Sequence, residues 1–338
     1  MRRSAIVLFA LLGAGPLALA GFAAAAPAPA EPTTGILILD NCDGEFRGKE
    51  KYDNNLTYID SAGKLGFRVS GFNGCESIGS NHLIATDPGR DCAWVLEIVG
   101  NRIHKYDRAG KELLVIRDVK ASALAVDPET GNLWVLTSSG TIYGDKTVVF
   151  DPKGQQVATH DVRGYDIAYD MKSKAFWIAG QKLTKVNAGK GEVAFSADIT
   201  TWCASSVAVH AATGQVWVAV RQHPQVAGSN NELLGFDSDG TRKHTIALGD
   251  RTPFHVCVEP KTGAVWVTLF HKAVQRYSAE GKLEAEHALE GLATQVDSGS
   301  GAVWVVTSGA AVRINSKGEV LKRVEHARST TQAWVAGW

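Results

Sequence analysis

The chain lacks an excess of either charge, because 35 Lys and Arg face 35 Asp and Glu, a formal net charge of zero. A surface that binds nucleic acid or anionic lipid needs a basic excess, so neither is predicted as a partner. The chain also lacks the Cys-x-x-Cys-His sequence of covalent haem attachment. Beyond the N-terminal region no apolar run is long enough to span a bilayer, so we predict no membrane span in the mature chain.

The N-terminal region has the layout of a secretory signal peptide. Arg2 and Arg3 precede an apolar run at 5–14, and the small residues of 18–20 offer a cleavage site before Gly21. Loss of the two arginines leaves a mature charge of −2. We therefore predict export to the periplasm or the extracellular space, and an uncleaved anchor is the alternative. The predicted divisions are a signal peptide at 1–20, an Ala/Pro-rich linker at 21–35 and a folded domain at 36–338.

Helix-forming segments are scarce, and a short unit recurs in their place. The segment AVDPETGNLWV (125–135) is nearly repeated as CVEPKTGAVWV (257–267) and QVDSGSGAVWV (295–305). Seven positions before each Trp stands an acidic residue or, once, a His, and a turn lies between them. Intervals of 38 to 49 residues are typical of propeller blades or solenoid units. Six copies align without gaps on Trp94, Trp134, Trp177, Trp217, Trp266 and Trp304.

A second unit, a turn that starts with Asp, Asn or Ser and closes with Gly, follows each Trp strand. It occurs seven times, whereas the Trp unit occurs six times. The first such hairpin has only the strand Ile36–Asp40 before it, and the chain ends in an unmatched strand-like segment. We therefore predict an all-β fold, a seven-bladed β-propeller of four-stranded antiparallel blades. The ring would be closed by the C-terminal strand, with Gln332–Gly337 beside Ile36–Asp40.

The units resemble NHL and YVTN-type β-propeller repeats. The resemblance is carried by the cadence D-P-E-T-G-N-L-W-V (127–135) followed by F-D-P-K-G (150–154), and it covers about Ile36 to Trp338. It implies the propeller fold. It implies no single function, because such propellers serve as enzymes, binders and scaffolds. A pyrroloquinoline quinone site is not expected, because the repeat is one residue short of that docking motif and the adjacent Cys pair is absent.

The second turn of each blade varies most in length, from 10 to 20 residues between the Trp and the hairpin Asp, Asn or Ser. In a four-stranded meander this turn and the blade-to-blade connection fall on one face, which we call the variable-loop face. Because loops on a rigid scaffold carry function, we expect ligand binding there. Asp40, Asp43 and Glu45 have a spacing that could reach a calcium ion, but they lack the full ligand set of an EF-hand loop. A solvated acidic loop is therefore favoured.

Polar residues also mark the start of several inner strands, at the mouth of the central channel. Asp166, Ser206 and His255 stand eleven positions before their Trp, and His82 lies one step off this register. Asp, Ser and His are the residue types of nucleophilic catalysis, but no Gly-x-Ser-x-Gly surrounds Ser206. We favour a structural role, with side chains bonded to the backbone of neighbouring blades. A metal site of His82, Asp166 and His255 stays open, although blades two and six lie far apart unless the channel is narrow.

A disulfide is predicted between Cys42 and Cys75. Export places the five cysteines where disulfides persist, and their odd number leaves at least one thiol unpaired. Cys42 lies in the second-turn loop of blade one and Cys75 in the connection to blade two, so both fall on the variable-loop face. The bridge would hold the acidic loop in place.

These observations favour an exported, monomeric, non-catalytic propeller that binds a protein, glycan or small ligand on its variable-loop face. No cofactor is expected for that function, and no catalytic or metal-binding residue is assigned. The alternative is a metal-dependent lactonase, hydrolase or lyase with its site at the channel mouth, using a divalent metal such as calcium. The candidate ligand-binding residues are Asp40, Asp43, Glu45, His82, Asp166, Ser206, Arg221, His223, His255 and His271.

Overall fold

The computed structural model describes residues 35–42, 54–72, 82–137, 145–200, 202–223, 225–228, 230–270, 272–297, 300–325 and 330–337. These residues form 28 strands in seven antiparallel sheets of four strands each. Their helical content is a single 3₁₀ turn, Pro88–Arg90. No helix within the described ranges has the length and apolar character that crossing a membrane requires. The predicted all-β, seven-bladed propeller is confirmed.

Each blade is a meander whose strands run in order from the channel to the rim, and blade one takes its inner strand from the C-terminus. Blades one to three contain β1 Gly35–Cys42, β2 Asn54–Asp60, β3 Leu65–Phe72; β4 Ile84–Asp87, β5 Cys92–Glu97, β6 Arg102–Asp107, β7 Glu112–Arg117; β8 Ala121–Val126, β9 Leu133–Thr137, β10 Lys146–Phe150 and β11 Gln156–His160. Blades four and five contain β12 Asp166–Asp170, β13 Ala175–Ala179, β14 Lys182–Asn187, β15 Val193–Asp198; β16 Cys203–Val209, β17 Val216–Arg221, β18 Glu232–Phe236 and β19 Arg242–Ala247. Blades six and seven contain β20 Pro253–Val258, β21 Val265–Leu269, β22 Ala273–Tyr277, β23 Leu283–His287; β24 Ala293–Val296, β25 Val303–Val306, β26 Ala310–Ile314 and β27 Val320–Glu325, and β28 Thr330–Gly337 completes blade one.

The ring closes as the excess of hairpins over Trp units predicts. β28 pairs antiparallel with β1, with Ile36 opposite Gly337 and Asn41 opposite Gln332. The inner strands β4, β8, β12, β16, β20, β24 and β28 each contact the next, and β28 contacts β4 in turn. Without β28, the inner edge of β1 would have no hydrogen-bonded partner. Closure of the ring covers that edge and so removes a site of aggregation.

The six repeated Trp side chains form the interface between successive blades. All six are 0–1% exposed, and each packs on the second strand of the following blade; Trp304, for example, lies in one cluster with Ile36 and Ile38 of blade one. A small residue faces the Trp on the inner strand in most blades, as Ala125 faces Trp134. The prediction that these rings are core, and not stacking platforms for a ligand, is confirmed.

The residue seven positions before the Trp holds the first turn together. Asp127 Oδ2 accepts the hydroxyl of Thr130 at 2.7 Å, and the later Gly131 adopts φ 77°. A positive φ favours Gly, although Asp91 and Lys174 occupy the same slot with φ 54° and 51°. The repeated pattern in the sequence, Asp, Thr or Ser, Gly and then Trp-Val, thus forms the first turn of blades two to seven. These turns lie on the face opposite the variable loops.

Candidate ligand-binding site at the channel mouth

Polar side chains from three alternate blades meet where the inner strands begin. Asp166, the first residue of β12 in blade four, is fully buried. Its Oδ1 lies 2.6 Å from Nδ1 of His82, which precedes β4 in blade two. Its Oδ2 accepts the backbone N–H of Val207 in blade five at 2.8 Å. One carboxylate therefore bridges to a side chain across the channel and to the backbone of the neighbouring blade.

His255, in β20 of blade six, completes this group, which we call the channel-mouth triad: His82, Asp166 and His255. The ring centroids of the two histidines lie 6.2 Å apart. The channel is thus narrow enough to bring blades two and six together, which is the condition that the sequence left open. His255 is 2% exposed, and its Nδ1 lies 3.3 Å from the hydroxyl of Thr294 in blade seven. Its Nε2 has no hydrogen-bond partner within the described part of the chain.

The pKa values of the two imidazoles are shifted in opposite directions, and only His82 contacts a carboxylate. Burial by itself lowers the pKa of His82, but the charge of Asp166 and its hydrogen bond outweigh burial and raise that pKa above its ordinary value. For His255, burial and the positive charge of His82 lower the pKa to about 3, against a smaller opposing effect of Asp166. The mouth therefore combines an imidazole whose pKa is raised by its carboxylate partner with one whose pKa is lowered by burial.

The structure does not arrange these residues as a nucleophilic triad. Ser206 Oγ accepts the backbone N–H of Val256 at 3.2 Å, and neither histidine is its hydrogen-bond partner. Ser206 thus has the blade-to-blade role expected from sequence. Asp166 combines such a backbone contact with an unexpected contact to His82. Within the described residues, no group of three or more His, Cys, Asp or Glu is placed to hold a metal ion.

A second group of side chains lies on blades five and six. The guanidinium of Arg221, at the end of β17, lies 5.7 Å from the ring centroid of Phe254, which directly precedes His255. Phe254 in turn contacts Phe270, a ring that is 37% exposed. The ring of His223 lies 4.2 Å from that of Trp202. We call these five residues the aromatic patch. All belong to the start of an inner strand or to a second turn, so the patch lies on the variable-loop face.

A cleft of about 670 Å³ opens between blades three and four. It is bordered by the second turn of blade four and by the connection that leads into that blade, so it reaches the same face as the triad. Its lining carries both signs of charge. The polar lining residues include Asp145, Asp161, Arg163, Gln181, Lys182 and Ser196.

The remaining predicted residues are only partly described. Asp40 is fully buried in β1, where its Oδ1 accepts the backbone N–H of Asn55 at 3.1 Å; it is therefore not part of a solvated loop. Asp43, Glu45, His271 and Cys75 lie outside the described residues, as does the side chain of Cys42. The predicted disulfide stays a prediction. The other three cysteines, Cys92, Cys203 and Cys257, are buried free thiols.

Sequence reasoning missed several residues of this face. Thr294 holds His255, and its only sequence signal is a hydroxyl residue among the apolar residues that start blade seven. Trp202, Phe254 and Phe270 lie outside the Trp register of the repeat. An aromatic residue off that register and next to an inner-strand start is the signal that could have found Trp202 and Phe254.

No protein-family model matches the chain, and no curated protein matches it. The fold and the site place the protein in the class of seven-bladed β-propellers, with a cluster of polar side chains at the mouth of the channel.

Proposed function

We propose that the protein is an exported, monomeric, non-catalytic propeller that binds a ligand on its variable-loop face, with the channel-mouth triad at the base of the site. The observation that carries this proposal is the unmatched Nε2 of His255. Buried polar groups in native proteins are nearly always hydrogen-bonded, and this one lies in a group of side chains supplied by three separate blades. We take a bound ligand to be the missing partner of this nitrogen.

The surroundings of the triad support the same proposal. Binding sites combine aromatic surface with a few placed polar groups, and the aromatic patch beside His255 offers both. The acidic and basic lining of the cleft between blades three and four offers a further polar surface on that face. A small ligand or one glycan unit fits the scale of these features, and a protein loop could insert in the same way.

Export and the repeat type are also proposals. The basic residues, apolar run and small-residue site at the N-terminus support export and cleavage before Gly21. The Asp-Pro-x-x-Gly-x-Leu-Trp-Val cadence supports assignment of the blades to the NHL/YVTN type. N-terminal sequencing of the secreted protein tests the first point, with Gly21 as the expected first residue.

A ligand screen with two variants tests the binding proposal. A library of small acids, sugars and peptides is scored by the shift in melting temperature of the wild-type protein. His255→Phe keeps a ring but removes Nε2, so ligands of the triad should no longer shift its melting temperature. Lys153→Ala, an exposed change in the third turn of blade three on the opposite face, should retain every shift. Hits that persist in His255→Phe, or the complete absence of hits, would contradict the proposal.

The second candidate is a metal-dependent lactonase, hydrolase or lyase. What favours it is that His82 Nδ1 lies 2.6 Å from Asp166 Oδ1 and the His82 ring lies 6.2 Å from that of His255, although the three side chains as they stand are not placed to hold a metal ion. Metal analysis of the purified protein, followed by lactone hydrolysis before and after chelation, separates the two functions. Stoichiometric divalent metal together with chelator-sensitive hydrolysis would favour the enzyme; ligand binding unaffected by chelation would favour the binding protein.

A further inference from the structure

His255 presents a hydrogen-bond donor that lacks an acceptor. Its Nδ1 lies 3.5 Å from the backbone nitrogen of Thr294, which can only donate. When Nδ1 accepts this N–H and the Thr294 hydroxyl, which lies 3.3 Å away, the neutral ring holds its proton on Nε2. That nitrogen is buried and has no partner among the described residues. The position is therefore complementary to an oxygen that accepts a hydrogen bond.

His82 supplies a second donor beside it. Its Nδ1 donates to the carboxylate of Asp166 at 2.6 Å, so the cationic form of the ring carries another proton on Nε2. About a quarter of the His82 side chain, 26%, is accessible, so a ligand can reach the ring. With the two ring centroids 6.2 Å apart, one carboxylate group can accept from both rings at ordinary distances of about 2.8 Å.

We propose that His82 and His255 form an oxyanion-binding pair that holds the carboxylate of a small organic acid at the channel mouth. This inference rests on the proposed function and names the chemical class of its ligand. A carboxylate is favoured over a phosphate because its single charge matches one imidazolium that already shares its charge with Asp166. A phosphate dianion would bring a second negative charge close to the same Asp166.

The pair also implies a direction of pH dependence. The titratable groups that face His82 in the described residues are Asp166 and His255, and burial lowers the pKa of His255 to about 3, so that ring stays neutral. Asp166 raises the pKa of His82. The site therefore holds its positive charge below that raised pKa and loses it above. A carboxylate should bind more tightly at pH 6 than at pH 8.5.

The experiment uses the purified protein with ¹⁵N-labelled histidine, and acetate as the probe. Acetate is titrated at pH 6 and pH 8.5 while the Nε2 signals of His82 and His255 are followed by NMR. We expect a saturable shift of both signals at pH 6 and weaker binding at pH 8.5. The neutral isostere acetamide is titrated in parallel and should bind at least tenfold more weakly than acetate at pH 6. Phosphate, which is largely a dianion at pH 8.5, should bind more weakly than acetate at that pH.

Three variants make the test specific. His255→Phe should weaken acetate binding at least tenfold, followed through the His82 signal. His160→Phe, the same change at a ring stacked on Trp134 at the outer strand of blade three, should bind like wild type. His82→Gln can still donate to Asp166 but has no charge, so its weakened acetate binding, followed at His255, should lose its pH dependence. Near-UV circular dichroism verifies that each variant is folded.

The outcomes separate this inference from the function beneath it. Acetate binding that does not saturate, or that is unchanged in His255→Phe, overturns the oxyanion pair. Phosphate binding as tight as acetate binding at pH 8.5 overturns the choice of a carboxylate. If acetamide or a library sugar shifts the His255 signal and acetate does not, the carboxylate fails while ligand binding at the channel mouth stands. If no library compound shifts the melting temperature, the proposed function fails with it.

Discussion

Replacement of Glu259 by Ala tests the structural explanation of the repeat. Glu259, seven positions before Trp266, is 5% exposed. Its Oε1 accepts the indole N–H of Trp266 at 2.8 Å and Nε of Arg276 at 2.8 Å. Its Oε2 accepts the hydroxyl of Thr262 at 2.5 Å and a second guanidinium nitrogen at 3.1 Å. The substitution leaves the Trp, the Arg and the Thr without these acceptors.

The expected loss follows from what stays unpaired. Removal of one partner of a buried ion pair costs about 3–5 kcal/mol. Arg276 keeps a second contact, to Glu284, so we expect the lower end, about 3 kcal/mol. In a domain of this size each kcal/mol corresponds to roughly 2 °C, so the melting temperature should fall by about 6 °C. Thermal unfolding at pH 7, with urea unfolding as a second measure, gives both values.

Glu284→Ala is the matched control, because it removes the other carboxylate on the same Arg276. Glu284 is 39% exposed, and exposed ion pairs contribute about 0–1 kcal/mol. The expected fall in melting temperature is therefore at most about 2 °C. Equal losses in the two variants, or a loss below about 1 kcal/mol in Glu259→Ala, would refute the explanation that the buried carboxylate holds the Trp turn.

The same contacts predict a pH dependence. Burial raises the pKa of Glu259. The hydrogen bonds from Arg276, Thr262 and Trp266, together with the charge of Arg276, lower the pKa by more than burial raises it, so the net shift is downward. A carboxyl group whose pKa is lowered in the folded state stabilises the protein above its ordinary pKa of 4.5. This stabilisation is lost as the pH falls through the lowered value. The difference in stability between wild type and Glu259→Gln should therefore shrink as the pH is taken below 4.5.

Three further predictions concern ring closure, the disulfide and the channel mouth. Truncation after Ala327 removes the strand that pairs with β1 and should cause aggregation by light scattering, whereas deletion of Trp338 alone should not; a soluble, monomeric truncated chain would contradict the role of closure. Peptide mapping without reduction should find Cys42 linked to Cys75 and the other three cysteines as thiols, and a free Cys75 would disprove the bridge. Asp166 raises the pKa of His82, so the wild-type protein should be more stable than His82→Gln most clearly below pH 6.5. This advantage should be lost as the pH rises through the raised pKa. A constant difference in stability from pH 5.5 to 9 would contradict the ion pair.

The blades could be predicted from sequence because their signals are local. The turn from Asp127 to Gly131 and the pairing of Ala125 with Trp134 depend on residues within about ten positions of each other. Such contacts repeat in each blade and leave a pattern that can be counted. Even the closure by β28 followed from the count, since a seventh hairpin without an inner strand requires one from elsewhere in the chain.

The candidate site could be predicted only as separate residues. Asp166 and His255 stood out by register, and His82 by its position one step off that register. Their relation depends on the channel width, which no local pattern reports, so the distance between blades two and six stayed open. The buried position of Asp40, whose Oδ1 accepts the backbone N–H of Asn55 on the adjacent strand, was missed for a different reason. The sequence that follows Asp40 is polar, and this hides the fact that Asp40 itself belongs to strand β1.

The sequence by itself thus determined the strands, the number of blades, the closure of the ring and the core position of the six Trp rings, because pleat alternation and turn chemistry act between near neighbours. Only the tertiary structure decided that His82 meets Asp166, 84 residues away, and lies beside His255. The physical reason is that a closed ring of seven inner strands brings alternate blades to one narrow axis. Side chains distant in sequence then share one low-dielectric space, where a carboxylate raises the pKa of one imidazole and burial lowers the pKa of the other.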